Sequence, residues 1–268
     1  MTMATPSGRA PAPAPAALRP YIAELHVHTV LSPCAEIEMI PPLIVAEARE
    51  RGIDLIAITD HNASANVVAV QEAARDSDLV VLPGMEVQTR EEVHVLCLFD
   101  TLEQLAAWQA HVDAHLPPFP NDPEHFGEQF VVDASGDFIR REPRLLIVST
   151  ALSLKEAIDG VLALGGIAIP AHVNRAAFSL LTNLGFVPAD VHPDALEISR
   201  HLPLAEARRK FPQLRGYPLI QSGDVHRLEE FLGVTRFTLA APTIAELRLA
   251  LAGRAGRALV VGEPAGAI

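Results

Sequence analysis

The chain has 268 residues, 49% of them hydrophobic, so one α/β domain of roughly 200–250 residues would account for most of it. A formal net charge of −12 argues against a surface that coats nucleic acid, which is usually basic. Two cysteines, Cys34 and Cys97, exclude a disulfide framework and suit a reducing cytoplasm, and no apolar run reaches the about 18–20 residues that span a bilayer.

The first twenty residues are rich in proline and alanine, which predicts a disordered tail. We expect a single domain over residues 21–268, in which strand-like and helix-like segments alternate. Ser153 and Glu156 form a capping-box pattern at the start of one helix. The predicted strands cover 21–28, 54–59, 79–82, 93–99, 166–172, 195–199, 218–223 and 235–240. The predicted helices cover 41–52, 65–75, 102–115, 153–164 and 243–251.

The alternation breaks over residues 116–144, where prolines and a Ser-Gly-Asp turn indicate an inserted loop with a hairpin. Elsewhere, alternating strands and helices predict parallel strands with right-handed crossovers. The number of such units favours a closed or nearly closed barrel. In such a barrel, side chains at the strand ends gather on one rim.

Histidines follow this pattern of strand ends. His26 and His28 lie two residues apart on a strand and therefore share a face. Six of the eleven histidines lie next to apolar strand-like runs, and the other five fall in helices or loops. Imidazole is a common ligand of zinc-like ions, so the clustered set predicts a metal site. The six histidines next to apolar strand-like runs are His26, His28, His61, His94, His172 and His226.

Short motifs surround these histidines, and the set resembles the four motifs of the PHP (polymerase and histidinol phosphatase) superfamily from about Glu24 to Leu239. The resemblance implies an α/β fold, a distorted seven-stranded barrel with the 116–144 insertion. It also implies two or three divalent ions, which would be zinc, manganese or iron. The motifs are His26-Val27-His28-Thr29, Thr59-Asp60-His61-Asn62, Glu86, His94, Ala171-His172 and Gly223-Asp224-Val225-His226.

Carried over by position, the resemblance implies a trinuclear site bridged by Glu86. One ion would bind His26, His28, Glu86 and Asp224, and a second would bind Glu86, His94 and His172. The third would bind His61, His226 and one residue of the loop after His28. We favour Glu36 for that ligand because a carboxylate suits a hard ion, whereas Cys34 is the rival if the ion is zinc.

The function that the resemblance implies is hydrolysis of a phosphate ester by a metal-bridging hydroxide. We expect a small phosphomonoester, such as a nucleotide or sugar phosphate. Asp60 would orient a ligand imidazole or relay a proton, or else cap the next helix. Arg175, three residues after His172, could grip a substrate phosphate, or could form a surface ion pair.

Three other functions remain open at the level of sequence. An exonuclease acting on short oligonucleotides could use the same metals, and a non-catalytic accessory module could keep the fold. A binuclear amidohydrolase also opens with His-x-His, but its metals are usually bridged by a carboxylated lysine. Neither of the two lysines, Lys155 and Lys210, lies at a predicted strand end. The oligomeric state is not predicted.

Overall fold

Residues 17–262 are described by a computed structural model, and most of the predicted tail lies outside that range. Within it, eleven strands and eight α-helices are present. The strands are β1 Arg19–Val27, β2 Leu55–Ile58, β3 Val80–Gln88, β4 His94–Leu98, β5 Phe130–Val132, β6 Phe138–Arg141, β7 Ile167–Pro170, β8 Leu196–Ile198, β9 Leu219–Gln221, β10 Thr235–Leu239 and β11 Ala258–Val261. The helices are α1 Pro41–Glu50, α2 Val67–Ala73, α3 Leu102–Asp113, α4 Pro123–Phe126, α5 Leu154–Ala163, α6 Leu180–Asn183, α7 Leu204–Lys210 and α8 Ile244–Leu251.

Seven strands form one curled sheet in the order β11-β10-β1-β2-β3-β4-β7, while β8 and β9 form a separate parallel pair. The amide of Val173, just after β7, donates to the carbonyl of Glu197 in β8. On the other side, the amide of Gln221 donates to the Thr235 hydroxyl of β10. The β8–β9 pair therefore bridges the two sides of the curled sheet, and the expected distorted barrel is confirmed.

Strand direction differs from the prediction of uniformly parallel pairing. β1, β2 and β3 are parallel, but β4 runs antiparallel to both β3 and β7, and β10 runs antiparallel to β1. β3 extends to Gln88, so only residues 89–93 connect it to β4. A parallel crossover needs a dozen or more residues, so this connection makes a hairpin. Arg19 and Pro20, which the prediction assigned to the tail, belong to β1.

Alternate side chains of the strands face two different cores. Ala23 and Leu25 belong to an apolar cluster of inward strand side chains and α8, while Ile22 and Val27 pack in a second cluster with α1, α2, α3 and α5. Strict alternation would place Val27 inside with Ala23 and Leu25. The β1–β2 register shifts between Glu24 and Val27, which is the mark of a β-bulge. Beyond the bulge, His26 and His28 share the inner face of the barrel.

The insertion contains the expected hairpin, β5–β6, preceded by the short helix α4. Asn66 fastens this hairpin to the rim. Its side-chain amide donates to the Phe130 carbonyl and the Thr29 hydroxyl, and its oxygen accepts the Val132 amide. The loop after β1 is therefore held from the side of the insertion. Among residues 17–262, no helix combines the length and apolar character needed to cross a membrane.

The predicted capping box at α5 is confirmed. Ser153 accepts the Glu156 amide, and the Glu156 side chain accepts the Ser153 amide. We expect Ser153→Ala to lower the free energy of unfolding by about 1 kcal/mol, because the Glu156 amide loses the hydroxyl that accepts its hydrogen bond. Ser153→Asp, which keeps an acceptor, should lose much less. Denaturant unfolding measures both, and equal losses would contradict the assignment.

Candidate metal centre

Glu86 is a fully buried carboxylate at the mouth of the barrel, and five imidazoles surround it. It lies on β3 facing inward, next to the cluster of apolar side chains that fills the barrel. Each of the five histidines places a ring nitrogen within 3.5 Å of a Glu86 oxygen. The five are His26 (3.2 Å), His28 (3.5 Å), His61 (2.9 Å), His94 (2.9 Å) and His172 (3.3 Å).

Strand geometry explains why these side chains converge. His26 and His28 lie at the carboxyl end of β1, and His61 follows β2. His94 instead opens β4, and because β4 is antiparallel its first residue reaches the same edge. His172 comes two residues after β7. The antiparallel hairpin that the sequence prediction missed is thus what brings His94 to the rim.

Asp224 adds a second carboxylate to the cluster. Its Oδ1 lies 3.2 Å from His26 Nε2 and 3.5 Å from His28 Nε2. Its Oδ2 accepts a 2.6 Å hydrogen bond from Arg175 Nη1. The two oxygens therefore face different groups, one the imidazoles and the other a guanidinium on the cavity wall.

Buried polar groups set the protonation of two ligand candidates. His26 Nδ1 lies 3.0 Å from the Glu197 carboxylate, which can only accept, so this nitrogen carries a proton. Ser32 Oγ donates to Asp60 Oδ1 (2.7 Å) and must therefore accept from His28 Nδ1 (2.9 Å), because a hydroxyl carries a single hydrogen. In both rings Nε2 is left to face the cluster, where the two Nε2 atoms lie 3.1 Å apart.

Asp60 acts on this cluster through other residues. Its carboxylate accepts the Thr29 amide and hydroxyl at 2.7 Å each, besides the Ser32 hydroxyl. It does not cap the following helix, since α2 begins after Asn66 and has no side-chain cap. Asp60 therefore positions the loop after β1 and, through Ser32, the His28 ring.

Glu36 lies outside the cluster, contrary to expectation. Its side chain is 48% exposed and pairs with Arg227 at 2.9 Å. The rival residue, Cys34, is at the mouth instead, with Sγ 3.1 Å from His226 Nε2. Burial opposes ionisation of this thiol, but His61 and His226 lower the pKa of Cys34 to about 6.

Two candidate ligands have a left-handed backbone, His172 with φ 30° and Asp224 with φ 51°. Such conformations are strained for residues other than glycine. The His172 amide donates to the Glu197 carboxylate at 2.9 Å, which anchors the backbone of His172. Beside Asp224, Glu24 is a buried carboxylate that accepts the amides of Gly223, Leu232 and Gly233.

Charge is concentrated in the cluster. Burial opposes ionisation of Glu86, but His94, His26 and His61 hold the pKa of its carboxyl well below the usual range. Burial likewise lowers the pKa of His26, yet Glu197, Glu86 and Asp224 raise it well above its usual value. His28 behaves oppositely, because burial and the nearby His226 and His61 lower its pKa. A histidine beside several carboxylates therefore holds a proton more tightly than a histidine beside other imidazoles.

The buried donor atoms fit divalent ions. Five buried donor atoms make no aligned hydrogen bond among the described residues, although they lie close to one another: Glu86 Oε2, His61 Nδ1, His94 Nε2 and both ring nitrogens of His172. Unpaired buried polar atoms are costly and rare unless something binds them. Three groups bring their donor atoms within 4.8 Å of one another. They are His28 with His61 and His226, His26 with His28 and Glu86, and His61 with Glu86 and His94.

A cavity of about 590 Å³ opens onto this cluster. Beyond the ligand candidates, its wall includes arginines and an exposed aromatic ring from loops at the rim. The Phe178 ring stacks on His94 at 5.1 Å between centroids. The wall residues outside the ligand cluster include three arginines, one phenylalanine and one histidine, namely Arg175, Arg200, Arg227, Phe178 and His201.

The model of the PHP domain family matches residues 24–176, more than half of the chain. The chain belongs to the PHP domain family. This places it with metal-dependent hydrolases, and the family match begins just before the His-x-His pair. None of the curated proteins matches the chain.

Solved structures share the fold at low sequence identity. A lesion-specific endonuclease Q from Pyrococcus furiosus is 18% identical over 90% of this chain and 58% of its own, with a TM-score of 0.67. This chain therefore spans less than two thirds of that protein. A two-domain protein from Bacteroides vulgatus, containing a predicted PHP-like metal-dependent phosphoesterase, is 14% identical over 97% and 70% of the two chains (TM-score 0.52).

An amidohydrolase from Chromobacterium violaceum is 19% identical over 76% of this chain and 87% of its own, with a TM-score of 0.50. The lysine that would bridge two metals in the amidohydrolase alternative is not at this mouth. Lys155 pairs with Asp159 on α5, and Lys210 ends α7. The carboxylate at the centre of the cluster is that of Glu86.

Sequence reasoning missed Glu197 and Glu24, and gave no role to Ser32. Both glutamates interrupt apolar strand segments, Ala-Leu-Glu-Ile and Ala-Glu-Leu. Strands as apolar as these are usually buried on both faces, so each glutamate is a candidate buried charge. A charge inside a buried strand needs partners, so these positions carried a detectable signal.

We expect metal affinity to rise with pH between 6 and 8. In the metal-free protein the raised pKa values of His26 and His61 keep protons on nitrogens that a metal needs. Each displaced proton should tighten binding by about tenfold per pH unit. Zinc titration calorimetry in buffers of different ionisation enthalpy measures the protons released. A pH-independent affinity with no proton release would contradict this protonation pattern.

Proposed function

We propose that this protein is a metal-dependent phosphoesterase that hydrolyses a small phosphomonoester, such as a nucleotide or sugar phosphate. The observation that carries the proposal is the buried Glu86 carboxylate ringed by five imidazoles beside an arginine-lined cavity. Cationic side chains next to a multi-histidine, carboxylate-bridged cluster suit an anionic ester. The free Cys34 thiol suits a reducing cytoplasm.

Two ion positions are proposed, with the ligand sets that the family resemblance implies. His26, His28, Glu86 and Asp224 would hold one divalent ion, and Glu86, His94 and His172 would hold a second. One Glu86 oxygen faces His26, His94 and His172 and the other faces His28 and His61, so this carboxylate lies within reach of the ligands of both proposed ions. The mixed imidazole and carboxylate set accepts zinc, manganese or iron.

When bound, the divalent ions supply charge neutralisation at the phosphoryl oxygens and an activated water. The chain's own residues orient the ligands and the substrate. Glu197 and Ser32 fix the rings of His26 and His28, and Asp60 holds Ser32 in place. Such outer partners raise metal affinity by about 10- to 100-fold.

Arg175 is the proposed phosphate-binding residue. Its side chain is 42% exposed and lines the cavity, and among residues 17–262 Nη1 is its one engaged donor, bound to Asp224. A guanidinium has five N–H donors, so the others are available to a phosphate. The contact with Asp224 places this cation next to the ligand cluster, where the phosphoryl group would bind.

A second candidate is a phosphodiesterase that acts on short oligonucleotides. The fold shared with a lesion-specific endonuclease favours it, and Arg200 and Arg227 extend the cationic wall. The net charge of −12 argues against long nucleic acid as the substrate. A non-catalytic accessory module is disfavoured, because it would not need the buried cluster of candidate metal ligands.

The test is metal removal followed by a substrate panel. The full-length chain, stripped with a chelator, should lose activity on nucleoside monophosphates and sugar phosphates, and zinc, manganese or iron should restore it. Activity on short oligonucleotides alone would favour the second candidate. Activity that survives metal removal, or none on any phosphate ester after reloading, would refute both.

Glu86→Gln and Glu36→Gln form a matched pair for the same assay. Glu86→Gln should lose bound metal and more than about 100-fold in kcat/KM, since it removes the bridging charge. Glu36→Gln makes the same chemical change outside the cluster and should keep both within about twofold. Elemental analysis and steady-state kinetics measure the two effects, and equal behaviour of the variants would contradict the assignment.

Arg175→Lys should raise KM for a phosphomonoester by about tenfold, because the charge stays but the forked donor geometry is lost. Arg75→Lys, at an exposed arginine paired with Glu72 on α2, is the control and should leave KM unchanged. If KM is the same in Arg175→Lys as in the unaltered enzyme, Arg175 does not bind the phosphate.

A further inference from the structure

The loop between β1 and α1 holds Cys34 in a fixed position at the mouth of the barrel. The Ala35 amide donates to the Ser32 carbonyl at 3.0 Å, and the Glu36 amide donates to the His226 carbonyl at 2.9 Å. These two hydrogen bonds fix the backbone on the C-terminal side of Cys34, and one of them joins it directly to His226, the residue that the thiol faces. Its approach to His226 does not depend on a mobile side chain.

The atoms that face this thiol are electron-pair donors. His226 Nδ1 lies 2.9 Å from the Asp224 carbonyl, which can only accept, so Nδ1 carries the proton and Nε2 is free. That Nε2 is the atom 3.1 Å from Cys34 Sγ. An S–H hydrogen bond or a shared cation would each account for so short a contact.

A second observation favours a cation. His61 is only 6% exposed, and its Nδ1 has no aligned hydrogen-bond partner among the described residues. The ring donor atoms of His28, His61 and His226 lie within 4.8 Å of one another, on the side of the cluster where Cys34 stands. Cys34 Sγ contacts His226 of this group, so donors from three separate segments meet here, and no lysine or arginine contacts them among the described ion pairs.

We propose that Cys34 binds a third divalent ion as a thiolate, together with His61 and His226, and makes this position selective for zinc over manganese. The inference rests on the proposed metal centre, since it adds one ion to that cluster. Thiolate is a soft ligand that favours zinc and disfavours manganese and magnesium, while imidazole suits both zinc and cobalt. Formation of the S–metal bond releases the thiol proton to solvent.

The selectivity has a clear structural origin. The other two positions contain carboxylates, Glu86 and Asp224, which accept hard and borderline ions alike. Glu36 could have given the third position the same character, but it pairs with Arg227 at the surface. The chain would therefore combine two positions that accept several kinds of divalent ion with one that prefers zinc.

The test is cobalt(II) loading of the full-length, metal-free chain. A thiolate ligand gives a near-ultraviolet sulfur-to-cobalt charge-transfer band, which nitrogen and oxygen ligands do not give. We expect this band in the unaltered protein, and its loss in Cys34→Ser together with one fewer ion per chain by elemental analysis. Added zinc should abolish the band, whereas manganese in equal amount should leave it.

Two variants serve as controls. Glu36→Gln should keep the band, because its carboxylate lies outside the cluster. Cys97→Ala should keep it as well, because Cys97 is buried among apolar side chains of β4. A band that persists in Cys34→Ser, or disappears in Cys97→Ala, would overturn the assignment of the ligand.

Other results separate this inference from the proposed function. Cobalt bound without a charge-transfer band would leave only an S–H···N hydrogen bond at Cys34 and would refute the third site, while the phosphoesterase proposal would stand. Failure to bind cobalt, zinc or manganese at all would refute both. Displacement of the band by manganese as readily as by zinc would refute the selectivity.

Discussion

A carboxylate buried at the mouth of a barrel is the constraint on which this structure depends. Glu86 has no access to water, and an isolated buried charge would be prohibitively costly. Five imidazoles offset that cost. They come from four places on the rim, namely the end of β1, which carries two of them, the segments after β2 and β7, and the start of β4. The strand order, the bulge in β1 and the hairpin between β3 and β4 all serve to place ring nitrogens around two oxygen atoms.

Buried polar residues extend this arrangement outward. Glu197 and Asp60 satisfy ring and backbone N–H groups behind the imidazoles, and Glu24 holds the loop of Asp224 through three amides. Strained backbones, such as that of Asp224, persist only where the surroundings over-determine them, at a cost of about 1–3 kcal/mol each. The donor geometry is therefore set by the protein itself.

Much of this could be predicted from the sequence, since ligand-type residues next to apolar runs report both the strands and the edge at which they meet. The direction of β4 could not, because the 79–82 apolar signal ends before β3 does and hides how short the connection to His94 is. The position of Glu36 outside the cluster could not be predicted either, for a different reason. Chemical preference says which residue type suits an ion, but a loop conformation, here pinned to the His226 carbonyl, decides which side chain arrives.

The cavity wall and the metal-type cluster are built from different parts of the chain. Most of the ringed donors lie on strands or directly after them, whereas Arg175, Phe178 and Arg227 lie on connecting loops. Loops tolerate insertion and replacement far better than paired strands do. Laboratory evolution could therefore reshape most of the cavity wall while leaving the histidine cluster untouched, which makes this barrel a suitable scaffold for altering what the cavity admits.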